Sequence, residues 1–525
     1  MPLTGGEPVV IRRNDWAPLA DMTRHVQPRL RVSVVIPARG GQDRLDLTLA
    51  ALAAQTYPAD LTEVVVVDDG SSPALALPAL RPANCRIVRA PETGWGRAHA
   101  CHTGALAATG EVLHWLDADM LAFPDHIEQQ LRWHHVADYL VTIGYKRLVG
   151  HWSLTPEQVH AAARDGRMAE LFTAEETQPH AWVERLIGDS DDLRSADAEA
   201  FRAAVGSTSA LRRELYLDAG GMDTSLRLGE DSELGYRLAQ RGAVFIPVRA
   251  ARSWHLGIPT ATRSPDLVRR YNMPHLANRA PLPRFRRWQA GRTWRVPYVE
   301  VVVDASAAGY EWVAACVDSV LAGTLTDCRV SVVGPWSALD DARTSPLEDE
   351  HGDLRLVREH VAGDTRVTLV ERVPASPFPA TFRLTLGPGR ALSRATLERL
   401  VAAADAARAG LVEVSPEPCG ARLWRTAAVE RARRVLPDID QTDAVARVWG
   451  RSALDGRAIG LLDVAALDPP ALRALVRRTP ADAGGPALRW SRAARRIRRA
   501  GPAGLRRRAM LLLHTVTGRR RSEAK

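Results

Sequence analysis

Apolar and polar positions follow two alternating rhythms over the first half of the chain. Val32–Ile36 is a short β-branched run stopped by Pro37, the pattern of a strand buried in a parallel sheet. Leu45, Leu49 and Leu52 then recur at i, i+4 and i+7, one face of a helix that Tyr57-Pro58 closes. A second apolar run, Glu63–Val67, leads into Asp68-Asp69-Gly70. Strand, helix and strand with short connections make a βαβ unit, whose crossover is right-handed. The alternation continues with a strand at Arg86–Arg89, a helix over Ala98–Ala108 and a strand at Glu111–Leu116 that runs into Asp117-Ala118-Asp119. The pattern predicts an α/β fold with a doubly wound, mostly parallel sheet. His126 to Phe201 reads as mostly helical and polar, with strand-like Tyr139–Ile143 inside it. Ser209 to Gly242 reads as a helix–turn–helix passage before a strand at Val244–Val248, with Trp254-His255 just beyond. Pro259 to Trp294 is rich in Pro and Arg, lacks periodicity and reads as a linker or surface arm.

After Trp294 the rhythm starts again. Val299–Val303 parallels Val32–Ile36; Val313, Val317 and Val320 repeat the spacing of the three leucines; Arg329–Val333 parallels Glu63–Val67. This predicts an internal duplication. The polar positions are not copied. Gly334-Pro335 stand where the first unit has Asp68-Asp69, and Leu386-Gly387-Pro388-Gly389 where it has Asp117-Ala118-Asp119. The expected organisation is an N-terminal extension (1–30), a catalytic α/β domain (31–258), a linker (259–295), a second, degenerate α/β domain (296–465) and a basic helical tail (466–525).

Charge changes this picture only at the tail. The net charge of +9 includes +12 from Ala487 to Lys525, so the rest carries −3. Among 70 basic residues only Lys146 and Lys525 are lysines, a bias expected of a GC-rich genome. Trp490, Ile497 and Leu505 among arginines suggest a basic amphipathic helix on an anionic membrane surface, with a solvated end as the plain alternative. No stacking aromatic series accompanies them, so a nucleic-acid partner is not expected. Five unpatterned cysteines, no apolar signal core and no long apolar span point to a reduced, cytoplasmic protein, peripheral at most at the inner face of the membrane.

In doubly wound sheets ligands bind beyond the carboxyl ends of the strands. Three acidic groups fall at such ends: Asp68-Asp69, Asp117/Asp119 and Glu230-Asp231. Carboxylates one residue apart can hold a hard divalent cation against a diphosphate, and His255 could add a nitrogen ligand that suits Mn²⁺. Plainer readings stand beside these. Asp68-Asp69-Gly70 also fits a turn, Glu230-Asp231 an acid-rich helix start, and His255 a packed residue. Trp95 and Trp254 could be core aromatics or sugar platforms.

The segments VSVVIPARG, VVVVDDGSS, Gly94-Trp95-Gly96-Arg97, GEVLHWLDADM and GGMD…LGEDSELGYRLAQRG, in that order over Arg31 to Gly257, resemble the family-2 type of inverting glycosyltransferases. The last segment is similar to the C-terminal part of galactosyl- and N-acetylgalactosaminyltransferase catalytic domains. The resemblance implies a nucleotide-diphospho-sugar transferase (GT-A) fold, a nucleotide-diphospho-sugar donor, Mn²⁺ or Mg²⁺, and a glycan, lipid-linked or small-molecule acceptor of cell-envelope, glycolipid or secondary-metabolite type. It implies that Pro37, Arg39, Asp68 and Asp69 sit at the nucleoside and that Arg97 approaches the nucleotide or its phosphates. Asp117 is implied at the ribose, donor sugar or metal, Asp119 at the metal, and Glu230 and Asp231 at the acceptor with Asp231 as general base. Two departures fall on the expected nucleotide side: Arg39-Gly40 where many relatives have Tyr-Asn, and Cys101-His102 where many have Arg-Asn. A non-catalytic nucleotide-sugar or glycan-binding protein with a decayed fold is the alternative. Nucleotidyl transfer fits less well, because Ala38-Arg39-Gly40-Gly41 is a poor phosphate loop.

Overall fold

The computed structural model describes residues 9–287, 289, 291–340, 345–387, 389–415, 420–464 and 470–471. The tail expected from residue 466 lies almost wholly outside the described residues, as do Pro388 and Cys419. The other four cysteines are free thiols, and no described helix is long and apolar enough to cross a membrane.

The apolar runs form the strands expected of them. β1 (Val32–Ala38) lies between β2 (Thr62–Asp68) and β4 (Val112–Leu116), parallel to both, and β3 (Cys85–Arg89) extends the sheet beyond β2. The helix Gln42–Leu52 buries Leu45, Leu49 and Leu52 against the sheet. Its second apolar face, Leu47 and Ala51, packs on the helix Pro156–Arg164 through Val159 and Ala162. The helix Arg97–Ala107 covers the other side of β1 and β2. Gly104 permits that approach, since a Cβ there would sit 2.8 Å from Val67 Cγ2.

Three expectations need correction. Ser209–Arg212, read as the start of a helix–turn–helix passage, belongs to strand β8 (Thr208–Arg212), antiparallel between β4 and β6 (Leu140–Val149). Its small and polar residues (TSALR) lack a β signature, and the helix Arg213–Asp218 follows it without a break. The strand read at Val244–Val248 is β9 (Val244–Leu256), which continues past a register shift opposite Gly144/Tyr145. His255 is therefore inside β9, opposite Met120 of β5 (Met120–Ala122), rather than beyond it. The segment read as a linker contains the helix Pro265–Arg279, with Pro274 inside it and Leu276 and Ala277 buried. With β7 (Thr177–Pro179) beside β6, the first sheet runs β3-β2-β1-β4-β8-β6-β9-β5.

A second sheet follows, from β10 (Val299–Asp304), β11 (Cys328–Val333), β12 (Val367–Val370), β13 (Phe382–Leu386), β15 (Leu411–Val414), β16 (Ala421–Arg425) and β17 (Arg451–Leu454). Its order, β12-β11-β10-β13-β16-β15-β17, repeats β3-β2-β1-β4-β8-β6-β9 strand for strand. The direction of every neighbouring pair is the same. Even β5 on the far part of β9 has a counterpart, β14 (Arg390–Leu392) antiparallel to β18 (Leu461–Asp463). One apolar core links the two sheets, with Phe201, Tyr236 and Leu282 in the same cluster as Tyr298 and Phe382. The Tyr236 hydroxyl donates to the Pro379 carbonyl at 2.7 Å, and Arg241 pairs with Glu430 at 2.9 Å.

Candidate active site

The carboxyl ends of β1, β2 and β4 open on a cavity of about 270 Å³ lined by Pro37, Arg39, Arg44, Asp69, Arg97, Asp117 and Asp119, among others. A neighbouring cavity of about 430 Å³ shares Arg39 and Asp69 and reaches Arg89, Glu92 and Trp95. Asp69 joins the two, because its Oδ2 accepts from the Gly96 amide at 2.7 Å and so ties the Gly94–Gly96 loop to the end of β2. Gly96, at φ 94°, starts the helix that carries Arg97. Trp95, 55% exposed at the rim of the second cavity, carries the Arg227 guanidinium over its ring at 4.5 Å.

Asp68 points elsewhere. Its two oxygens accept from the Ser71 and Leu75 amides at 2.8 and 3.2 Å, so it shapes its own loop and does not line either cavity. Trp254 is a core residue whose Nε1–H donates to Met168, edge-on to Phe172. Of the two departures on the nucleotide side, only Arg39-Gly40 faces a cavity. Cys101 is buried in the core and His102 Nδ1 bonds the Tyr216 hydroxyl at 2.8 Å.

Asp117, Asp119 and His255 each present a ligand atom within 4.8 Å of the others, the one such group among the described residues. The turn between β4 and β5 supplies the carboxylates and β9 supplies the imidazole, His255 Nε2 lying 3.7 Å from Asp119 Oδ1. Asp119 Oδ1 is buried with no hydrogen-bond partner, a costly arrangement unless a cation completes it. Ligand atoms held ~2.1 Å from one small divalent cation stand roughly 3 to 4 Å apart, and the 3.7 Å between His255 and Asp119 lies in that range. Burial pushes the Asp119 carboxyl above the usual range, and the charge of Asp117 adds to this against the pull of His255 and Arg44. Burial acts on Asp117 in the same sense, but Arg97, His255 and Lys146 outweigh it and hold that carboxyl low.

Arg97 couples this group to the second acidic pair. Its guanidinium donates to Asp117 Oδ1 at 3.0 and 3.1 Å, to Glu230 Oε1 at 3.2 Å and to the Gly206 carbonyl. Glycine at 206 leaves room for this, since a Cβ there would stand 2.5 Å from the guanidinium and force it to move. The Gly206 amide in turn donates to Asp231 Oδ2 at 2.8 Å. Glu230 and Asp231 open the helix Glu230–Gln240, the carboxyl of Glu230 buried and pushed up to about 7, first by burial and then by Asp231. Lys146 on β6 completes the set. Its ammonium, 7% exposed, donates to Ser207 Oγ, and burial lowers its pKa to about 8 against the carboxylates of Asp117 and Asp231. Sequence reasoning missed Lys146 and Gly206. The one available signal was a lysine in a chain that otherwise uses arginine.

The first sheet belongs to a GT-A-like α/β fold. Residues 33–216 match the model of glycosyl transferase family 2, and the chain carries a domain of that family. It is 26% identical over 335 residues to chondroitin synthase of Pasteurella multocida (strain Pm70), covering 59% of this chain and 34% of that protein. It is 30% identical over 265 residues to validoxylamine A glucosyltransferase of Streptomyces hygroscopicus subsp. limoneus, covering 46% and 54%. The chain thus spans about a third and about half of the length of these two relatives. Among solved structures, GalNAc-T7 with UDP, GalNAc and Mn²⁺ aligns at a TM-score of 0.31 and 19% identity, over 44% of this chain and 45% of that one.

Proposed function

We propose that the first sheet carries a metal-dependent, inverting glycosyltransferase site that moves a sugar from a nucleotide-diphospho-sugar to an acceptor hydroxyl. The observation that carries the reading is the continuous path Asp119–His255, Asp117–Arg97–Glu230 and Gly206–Asp231 at the carboxyl edge of one sheet. In this reading Asp117, Asp119 and His255 hold a Mn²⁺ or Mg²⁺ ion, which when bound supplies Lewis-acid stabilisation of the leaving diphosphate. Pro37, Arg39 and Asp69 border the nucleoside side, where the exposed Trp95 offers a stacking surface for a base.

Asp231 takes the proton of the acceptor hydroxyl as the new bond to the anomeric carbon forms and the bond to the diphosphate breaks, its electron pair leaving with the nucleoside diphosphate. The Gly206 amide fixes one carboxylate oxygen of Asp231 and leaves the other for the acceptor. Glu230 anchors Arg97 and is a positioning residue in this account, not a second base. The second half is then a degenerate copy: it repeats the strand order, but glycines 387 and 389 stand where Asp117 and Asp119 do. The acceptor is a glycan, lipid-linked or small-molecule hydroxyl. A decayed binding protein is the poorer reading, because the carboxylates and the arginine that joins them are all present in the first half.

Calorimetric titration of UDP and GDP, with and without Mn²⁺, tests the donor side. Tighter binding of one nucleotide with Mn²⁺, lost in Asp119→Ala, is the expected result. Affinity indifferent to Mn²⁺ and to that substitution contradicts the assignment.

A further inference from the structure

We propose that Lys146 contacts the sugar being transferred, donating hydrogen bonds to its hydroxyl groups and so helping to select it. The inference rests on the transferase reading above. Lys146 lies on β6 opposite Ser253 of β9, two residues before the position opposite His255, so it shares a sheet face with that imidazole. Its partner Ser207 accepts from the Asp117 amide at 3.1 Å through its own carbonyl and follows Gly206, whose amide holds Asp231 at 2.8 Å. The ammonium therefore stands at the segment that joins the donor-side Asp117 to Asp231, the carboxylate assigned to the acceptor. In an inverting transfer that is where the sugar ring must lie.

An ammonium has three N–H donors. Among the described residues its one hydrogen bond goes to Ser207 Oγ, and no carboxylate lies within ion-pair distance. Two donors thus have no protein acceptor at a position only 7% exposed, an arrangement that sugar hydroxyls would complete. Composition points the same way. Lysine occurs twice among 70 basic residues, and one of the two is here. A guanidinium is a broad planar fork, whereas an ammonium is a compact head with rotatable donors, so this position uses the residue that the rest of the chain avoids.

The test compares nucleotides with and without a sugar. UDP, GDP, UDP-glucose, UDP-N-acetylgalactosamine and GDP-mannose are each titrated with Mn²⁺ into the full chain and into Lys146→Met, which keeps the length and removes the donors. Nucleoside diphosphate affinity should stay within about twofold, while affinity for the nucleotide sugar that binds best falls about tenfold to a hundredfold, the cost of hydrogen bonds to a charged group. Retained diphosphate binding also shows that the variant is folded. Lys146→Ala, which leaves space rather than a methyl tip, is the second variant and should show the same split. Equal loss for both ligand types in both variants, or none for either, overturns the contact. A wild-type chain that binds none of the five contradicts the transferase reading itself.

Discussion

Arg97 does at the scale of a single side chain what makes the site one site, holding Asp117 and Glu230 on the same guanidinium. The room for it comes from an absent side chain, that of Gly206. Gly206→Ala is expected to displace the guanidinium and lower kcat/KM about a hundredfold, the usual cost of a misplacement near 1 Å. Unchanged circular dichroism would separate this from unfolding, and a normal rate would show that Arg97 is not needed in place. Asp231→Asn should leave donor affinity alone and lower kcat by roughly 10²- to 10⁴-fold, the range of general-base catalysis. The site's acids were legible in the sequence because each ends a strand or starts a helix in a fixed order. Asp68 was not distinguishable from Asp69, because adjacent residues at a strand end turn to opposite sides and one of them closes the loop. Lys146 lay mid-strand, where nothing in the local pattern marks a buried ammonium.

Elements were legible where one physical demand dominated. β1, apart from half-buried Pro37, and β2 are buried, and both read as short β-branched runs with few polar breaks. β8 was hidden because its five residues (TSALR) mix hydroxyl, apolar and charged side chains without a clear alternation. One of these, Thr208, bonds His126 Nε2 at 2.8 Å. That bond belongs to a polar layer between the helix His126–His134 and the sheet, in which His114, His126 and His134 are wholly buried around Gln130. Burial lowers His126 to about 4 and His134 to about 3. Unfolded imidazoles take up protons below about pH 6.5, and these two do not while folded, so stability falls as pH drops through that window. Each such group adds about 1.4 kcal/mol per pH unit between pH 6 and 4, and His114, which burial also holds low, acts in the same sense; denaturant unfolding measures the sum. His134→Gln should flatten the slope by about 1.4 kcal/mol per unit, and an unchanged slope would place the acid lability elsewhere. Gly104→Ala should cost about 1–3 kcal/mol by forcing the Arg97–Ala107 helix off Val35 and Val67.

Across the described residues, two sheets of the same order share a core, and the acidic site lies on the first. The repeat was visible in the sequence as recurring apolar spacing, and the missing carboxylates were visible with it. The joint was not, because it is made by residues far apart in the chain. Arg431, wholly buried, donates to the carbonyls of Gly242 and Ala243 and to the N-terminal segment at Arg13. A chain ended at residue 295 would expose the Tyr236 and Leu282 side of the core and is expected to aggregate; a soluble, active fragment would contradict the shared core. The central claim is that the joined carboxylates transfer a sugar. Its most direct test is release of nucleoside diphosphate from a panel of nucleotide sugars with Mn²⁺ and glycan acceptors, for the wild-type chain, Asp119→Ala and Asp231→Asn. The account predicts acceptor-dependent release by the wild type from at least one donor and loss of it in both variants. Equal release by all three proteins would contradict it.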